Sequence, residues 1–341
     1  MKIFKEAVFW ILVFLIAYMV LEVCSRLNVY YHYNRDIKKF DNPLMKMVNP
    51  VDRREYDLKK NVRFVDHNGI IYETNGKGLR GTKYLYEKPN GTCRILMVGD
   101  SYLFGWGIQW KDTMPLKLEQ LLNKEPIESG RKYEVINAGI CGYDTVQESE
   151  FFKKEGIKYN PDTVILYFVV NDMEPQWSAP RHPKYEYEYC RSWFLDHLVR
   201  RINHYIEKFS KNKEPKFVVY RNRHNPQYLR GLDKETYKRD SCEAALLGLA
   251  SIVKSKGMDF YVFIVPDFGA DLKNYPWLSI NDEIVLVCKK NNIKVVDLVR
   301  IFSNKDTRTL RVSEQEMHPN GMANDIIAKE IYAVLKNNRK N

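Results

Sequence analysis

Absences narrow this sequence first. Its six cysteines (24, 93, 141, 190, 242 and 288) form no C-x-x-C pair and no metal-ligand spacing. That excludes the common structural zinc motifs and the thioredoxin-like redox motif. Their even number permits disulfides in an exported protein without arguing for them, and most are expected to be free or buried thiols. No RNP-like aromatic motif, zinc-finger spacing or basic heptad stretch accompanies the 54 Lys and Arg, so nucleic acid is not the expected partner despite a net charge of +11. That charge suits anionic lipid or acidic glycan, or is a solvated surface. No internal repeat is visible, only one run is apolar enough to span a membrane, and no metal or organic cofactor is implied.

What is present builds a core. The chain is 45% hydrophobic with 23 Tyr and 16 Phe, which excludes wholesale disorder, and 341 residues exceed one ordinary domain. Near the amino end, Ala7 to Leu21 are uninterruptedly apolar. Residues 7–24 as a helix span about 27 Å, close to a hydrocarbon core of ~30 Å. The stretch reads as an uncleaved anchor or a cleaved signal, both of which export the rest of the chain. Lys2 and Lys5 precede it and Arg26, Arg35, Lys38 and Lys39 come after it, a tally that leans against export. The remainder of the chain is nonetheless expected outside the cytoplasm, because short amino-terminal tails usually stay inside.

Residues 25–90 are polar and aromatic with turn signals at Asn42-Pro43, Asn49-Pro50, Asn68-Gly69 and Asn75-Gly76, and read as a stalk and lead-in subdomain with short strands. From Arg94 onward apolar runs alternate with helical patterns. Strands are expected at 94–98, 133–137, 163–170, 258–265 and 293–297, and helices over about 114–124, 145–156, 236–256, 279–291 and 321–336. This predicts an α/β fold, a three-layer flavodoxin-like sandwich around a parallel five-stranded sheet. Residues 91–341 form the main domain, interrupted at about 173–236 by an aromatic, basic insertion too long for an ordinary loop.

Several residues fall at predicted strand ends, where α/β folds place their sites. Gly99-Asp100-Ser101 closes the first strand of the main domain. A serine there stands above the sheet before a helix, or merely caps that helix. Position 103 is Leu, so the G-x-S-x-G elbow is not matched. Asn137-Ala138-Gly139 and Asn171-Asp172 end the next two strands, where a glycine N–H or an Asn amide can face an anion or form a turn. Met317-His318-Pro319-Asn320 precedes the last helix. A hydroxyl, a base and oxyanion donors, in order along one sheet edge, are what acyl transfer requires.

These four blocks resemble the SGNH (GDSL-type) hydrolases. Ser101 in VGDSYLFGWG, Gly139 in INAGICGYDT, Asn171 in YFVVNDMEP and His318 in EMHPNGMAND match the four signature residues. ETNGKGLRG (73–81) resembles the lead-in of exported, polysaccharide-associated members. The resemblance implies that Ser101 attacks an ester carbonyl and His318 takes its proton. It makes the N–H groups of Ser101 and Gly139 and the Asn171 amide the oxyanion hole. The sequence departs from the family at Val169 and Ala323, where glycine is usual, and at Gln315. Gln315 holds the position of the acid, three residues before the histidine, with Glu314 and Glu316 as flanking substitutes. The implied activity is hydrolysis or transfer of acyl (acetyl) groups on a glycan or small ester. The alternatives are a polysaccharide O-acetyltransferase and a non-catalytic glycan-binding protein on a decayed core.

Overall fold

The computed structural model of the chain describes residues 2–39, 42–48, 54, 56–173 and 237–338, with Phe194 and Leu198 between them. The chain divides into two units, residues 1–41 with 179–228 and residues 42–178 with 229–341. The first contains helix α1 (Lys2–Lys39). Its Val8–Asn28 stretch has a mean hydropathy of 2.4 with no part buried, which makes it a candidate membrane span. The helix does not give way to a stalk at residue 25. Ser25 to Lys39 contains neither glycine nor proline, and an ion pair from Arg26 to Glu22 (2.9 Å) bridges the expected boundary. Beyond Met173, the expected insertion lies outside the described residues apart from Phe194 and Leu198.

The second unit opens with two short antiparallel pairs, β1 (Met45–Met47) with β2 (Tyr56–Leu58) and β3 (Arg63–Val65) with β4 (Ile71–Glu73). Next come five parallel strands: β5 (Thr92–Gly99), β6 (Lys132–Gly139), β7 (Thr163–Val169), β8 (Asp259–Val265) and β9 (Lys294–Asp297), in the order β6-β5-β7-β8-β9. Every residue of β5 and β7 is buried. A parallel strand covered on both faces needs such a run, which is why apolar stretches rather than alternation mark these strands in the sequence. The helices of this unit are α2 (Ser101–Phe104), α3 (Met114–Lys124), α4 (Thr145–Lys154), α5 (Tyr237–Ser255), α6 (Leu278–Lys290), α7 (Val299–Phe302) and α8 (Gly321–Asn338). On one sheet face Ile95, Met97, Ile165 and Tyr167 pack with Leu118 and Leu122 of α3 and Ile327 and Ile331 of α8. The α4 helix, begun by an Asp144–Gln147 capping box, packs against α5.

Chain order and strand order together set the site. From β5 the chain moves outward to β6, then returns to β7 on the other side of β5. The carboxyl ends of β5 and β7 therefore flank the switch point at which doubly wound sheets hold ligands. Val169 and Ala323, at positions where glycine is usual, are both core residues, 1% and 0% exposed, and their side chains fill the cluster rather than a site.

Two carboxyls are buried beneath the switch point. Glu148 on α4 is fully buried, and neither of its oxygens has a hydrogen-bond partner among the described residues. Burial, then the charges of Asp100 and Asp144, pushes it well above the usual carboxylate range. Burial, then Glu148 and Asp100, does the same to Asp172, although Asp172 Oδ2 accepts the Val169 N–H at 2.8 Å. A carboxyl raised in the folded state contributes most stability below its unfolded pKa of about 4.3 and loses it as pH climbs toward the folded value. Glu148→Gln should therefore match the wild type in Tm near pH 4.5 and exceed it progressively up to pH 8.5. Thermal melts across that range check this; a pH-independent difference contradicts it.

Candidate active site

The glycine at the end of β5 starts a tight turn. Asp100, not Ser101, caps α2, its Oδ1 accepting the Tyr102 N–H at 2.8 Å. The helix is one turn long and ends at Gly105, whose φ of +83° is in the left-handed region that glycine occupies without cost. With Asp100 as the cap, the Ser101 hydroxyl is left for other partners. Its Oγ lies 2.7 Å from His318 Nε2 and 3.4 Å from Asp100 Oδ2, so one acceptor is short and the other long. Asp100 itself is fully buried, and burial raises its pKa against the opposing hydrogen bonds. One of these comes from Asn171, whose Nδ2 donates to Asp100 Oδ2 at 2.9 Å and so ties the end of β7 to the turn after β5.

His318 arrives on a hairpin-like loop across residues 310–320. Val312 N–H donates to His318 O (2.9 Å), Asn320 N–H donates to Leu310 O (2.9 Å), and Arg311 bridges Pro319. The loop reverses between Ser313 and Glu316, with the Ser313 N–H on Glu316 O and the Glu316 N–H on Ser313 Oγ, both at 3.0 Å. Glu314 and Gln315 are exposed at the tip of this turn. The partner of His318 Nδ1 is Oε1 of Glu316. Of the residues offered for the acid position, Gln315 with Glu314 and Glu316 as flanking substitutes, it is Glu316 that faces the imidazole. In a chain returning in extended form, residues two apart share a face, so Glu316 meets the imidazole and Gln315 does not. The hydrogen bond from His318 holds Glu316 below the usual carboxylate range, with a further contribution from Trp106. The His318 ring rests on the Tyr102 ring, 4.9 Å between centroids, and the Tyr102 hydroxyl donates to Asp267 Oδ1 at 3.1 Å.

Gly139 also differs from expectation. Its N–H donates to Asn137 Oδ1 at 2.9 Å, and Asn137 Nδ2 donates to Leu103 O at 3.0 Å. A Cβ at 139 would stand 2.3 Å from the Phe104 nitrogen. Gly139 thus lets α2 sit directly on β6, while its amide is committed inside the fold. Asn137 locks the two together, a role that the Asn-Ala-Gly run does not disclose. The next glycine, Gly142, lies half-buried in a left-handed turn (φ +78°) directly after Cys141. Burial, then the negative charge of Asp100, raises the Cys141 thiol, and Glu316 adds a small further push. The five described cysteines are free, and the described residues hold no cluster of His, Cys, Asp and Glu suited to a metal ion.

A doubly wound parallel sheet with a serine, a histidine and a carboxylate hydrogen-bonded in a row at its carboxyl edge is an arrangement suited to acyl transfer. A profile of the GDSL-like lipase/acylhydrolase family matches residues 97–326, and the chain belongs to that family. No curated protein matches the sequence. Among solved structures it is similar to the psychrotrophic esterase EstA from Pseudoalteromonas sp., at 14% identity and a TM-score of 0.45 over 73% of this chain and 99% of that one. It is similar to the acetyl xylan esterase AlAXEase at 13% identity and a TM-score of 0.44, over 71% and 98% of the two chains. For a lipase/acylhydrolase from Enterococcus faecalis the values are 15%, 0.43, 72% and 96%.

The Gly139 contact generates a test. Gly139→Ala forces α2 away from β6 and carries Ser101 with it, and a displacement of about 1 Å costs on the order of 10² in rate. Ester hydrolysis by this variant should fall by about that factor while the melt remains cooperative. Unchanged kcat would remove the contact from the account.

Proposed function

We propose that the protein is a serine esterase using Ser101, His318 and Glu316 as a triad, acting on acyl esters, foremost acetyl groups carried by a glycan. The observation that carries it is the unbroken chain from Glu316 Oε1 through both imidazole nitrogens to Ser101 Oγ. In the tautomer with the proton on Nδ1, that N–H donates to Glu316, and Nε2 is left as acceptor for the serine proton. As Oγ attacks the carbonyl carbon the proton passes to Nε2, and the Glu316 carboxylate stabilises the imidazolium. The imidazolium then protonates the departing sugar oxygen. Water, activated by the same Nε2, releases the acid from the acyl-enzyme.

For the oxyanion we assign the Ser101 N–H at the start of α2 and the Asn171 amide, which Asp100 orients by accepting from its Nδ2. Gly142, in the turn beyond β6, takes the place that Gly139 cannot fill with its amide committed to Asn137. With Glu316 on the imidazole, Gln315 no longer speaks for a decayed core. The glycan assignment rests on the 73–81 lead-in and the basic charge, and its aromatic insertion lies outside the described residues. Hydrolysis and transfer share the acyl-enzyme and differ in the acceptor. We further propose that α1 tethers the domain to a membrane with residues 42–341 outside the cytoplasm. A reporter active only after export, fused behind Asn341, should then be active, and an inactive fusion to a stable protein reverses the orientation.

Full-length protein in detergent should react with a fluorophosphonate and hydrolyse short aryl acetates, and Ser101→Ala should do neither. Replacing the acid of a serine triad by its amide costs about 10⁴ in rate. Glu316→Gln should approach that loss in kcat with KM nearly constant, and Gln315→Ala should stay within about three-fold. The reverse ranking of these two variants would return the acid role to Gln315.

A further inference from the structure

The lead-in hairpin reaches into the main domain through two buried residues. Arg80 is 2% exposed, yet among the described residues no carboxylate acts on it. Two of its nitrogens donate to backbone carbonyls, Nη1 to Phe104 O (2.9 Å) and Gly105 O, and Nη2 to Ile108 O (2.7 Å) and Ile71 O (3.3 Å), while the buried Nε has no partner among the described residues. It lies over the rings of Tyr72 and Phe104, 4.7 and 4.9 Å from their centroids. Burial pushes the guanidinium down to about 10, so it keeps its charge at neutral pH. A fixed charge spread over four carbonyls is more than a surface hairpin needs, and three of the four belong to the end of α2 and the loop that leaves it.

Tyr72 holds the same loop by its other side. It is fully buried, stacks on Trp106 at 4.9 Å, accepts the Gly107 N–H at 2.8 Å and donates to Asp66 Oδ2 at 3.2 Å. What this loop touches is the carboxylate. Gly107 lies so close to the Glu316 loop that a Cβ there would meet Val312 at 3.0 Å and Glu316 Cγ at 3.3 Å. Trp106 also contributes to lowering the pKa of the Glu316 carboxylate.

We propose that Arg80 and Tyr72 are positioning residues for Glu316: they clamp residues 104–108 so that Gly107 and Trp106 form a wall fixing the carboxylate against His318. This rests on the triad reading and extends it to the lead-in subdomain, which becomes part of the esterase rather than a spacer. The wall restricts Glu316 to the rotamer that meets Nδ1. Loosening the clamp lets the carboxylate swing away, which lowers kcat without changing how the ester binds.

The test is a double-mutant cycle in the full-length protein, read by aryl acetate kinetics and by the second-order rate of fluorophosphonate labelling, with cooperative melts confirming folding. Tyr72→Phe keeps the ring and removes only the hydroxyl; Trp106→Phe keeps an aromatic ring but loses the indole N–H together with part of the stacked surface; Arg80→Lys keeps the charge and loses the fork. Each should lower kcat about ten-fold with KM within two-fold. In a Glu316→Gln background the same substitutions should have almost no further effect, because the group they position is gone. Full additivity in that background, or wild-type kcat in both Phe variants, overturns the clamp while leaving the triad standing. A Glu316→Gln variant as fast as wild type overturns the triad, and the clamp with it.

Discussion

No side chain fits between Gly139 and the Phe104 amide, 2.3 Å from where a Cβ would lie, and the site depends on that exclusion. The short α2 helix can lie against β6 only because position 139 is bare. Asn137 fastens the contact by accepting the Gly139 N–H and donating to Leu103 O. With α2 seated, Ser101 projects above the carboxyl edge of β5, and Asp100 caps the helix while holding Asn171 from the end of β7. The serine's place is thus fixed from strands on both sides of β5, and the histidine loop, 217 residues later in the chain, meets a hydroxyl that is already fixed.

The framework is well disclosed by the sequence because parallel strands buried on both faces must be apolar throughout. The runs at 94–98 and 163–170 coincide with β5 and β7 to within two residues, and the 114–124 helix matches α3. The serine and histidine are legible from their place at strand and helix ends. The carboxylate beside the histidine stays open among Gln315, Glu314 and Glu316, because counting back from a histidine assumes a backbone shape that the Ser313–Glu316 turn changes. The same limit applies to Gly139: a glycine at a strand end signals a close approach, but only coordinates tell whether a ligand or the Phe104 backbone approaches. Arg80 belongs to the ETNGKGLRG motif, yet four carbonyl partners leave no trace in a one-dimensional pattern.

The buried carboxyls show what this arrangement costs. Asp100, Glu148 and Asp172 are all fully or nearly fully buried, and Asp100 and Glu148 both push Asp172 upward. A fold selected for stability alone would place apolar residues there. Asp100 has an evident task, since it caps α2 and orients Asn171. Glu148 and Asp172 are pushed upward chiefly by their burial, with the Asp100 carboxyl adding to both. The Glu316 carboxylate has the opposite setting: half-buried, hydrogen-bonded by His318 and held below its usual range. Carboxyls whose surroundings push them in opposite directions are how a fold assigns structural and chemical duties to one residue type.

The central claim is that the carboxylate of Glu316 holds the proton on His318 Nδ1. Proton NMR of the full-length protein labelled with [¹⁵N]histidine reads that proton directly, because a strong N–H to carboxylate bond shifts it far downfield and slows its exchange. The account predicts a downfield resonance bonded to a histidine Nδ1 that is present in the wild type, retained when Gln315 is replaced by Ala, and lost in Glu316→Gln. A resonance that survives Glu316→Gln and disappears with Gln315 would contradict it.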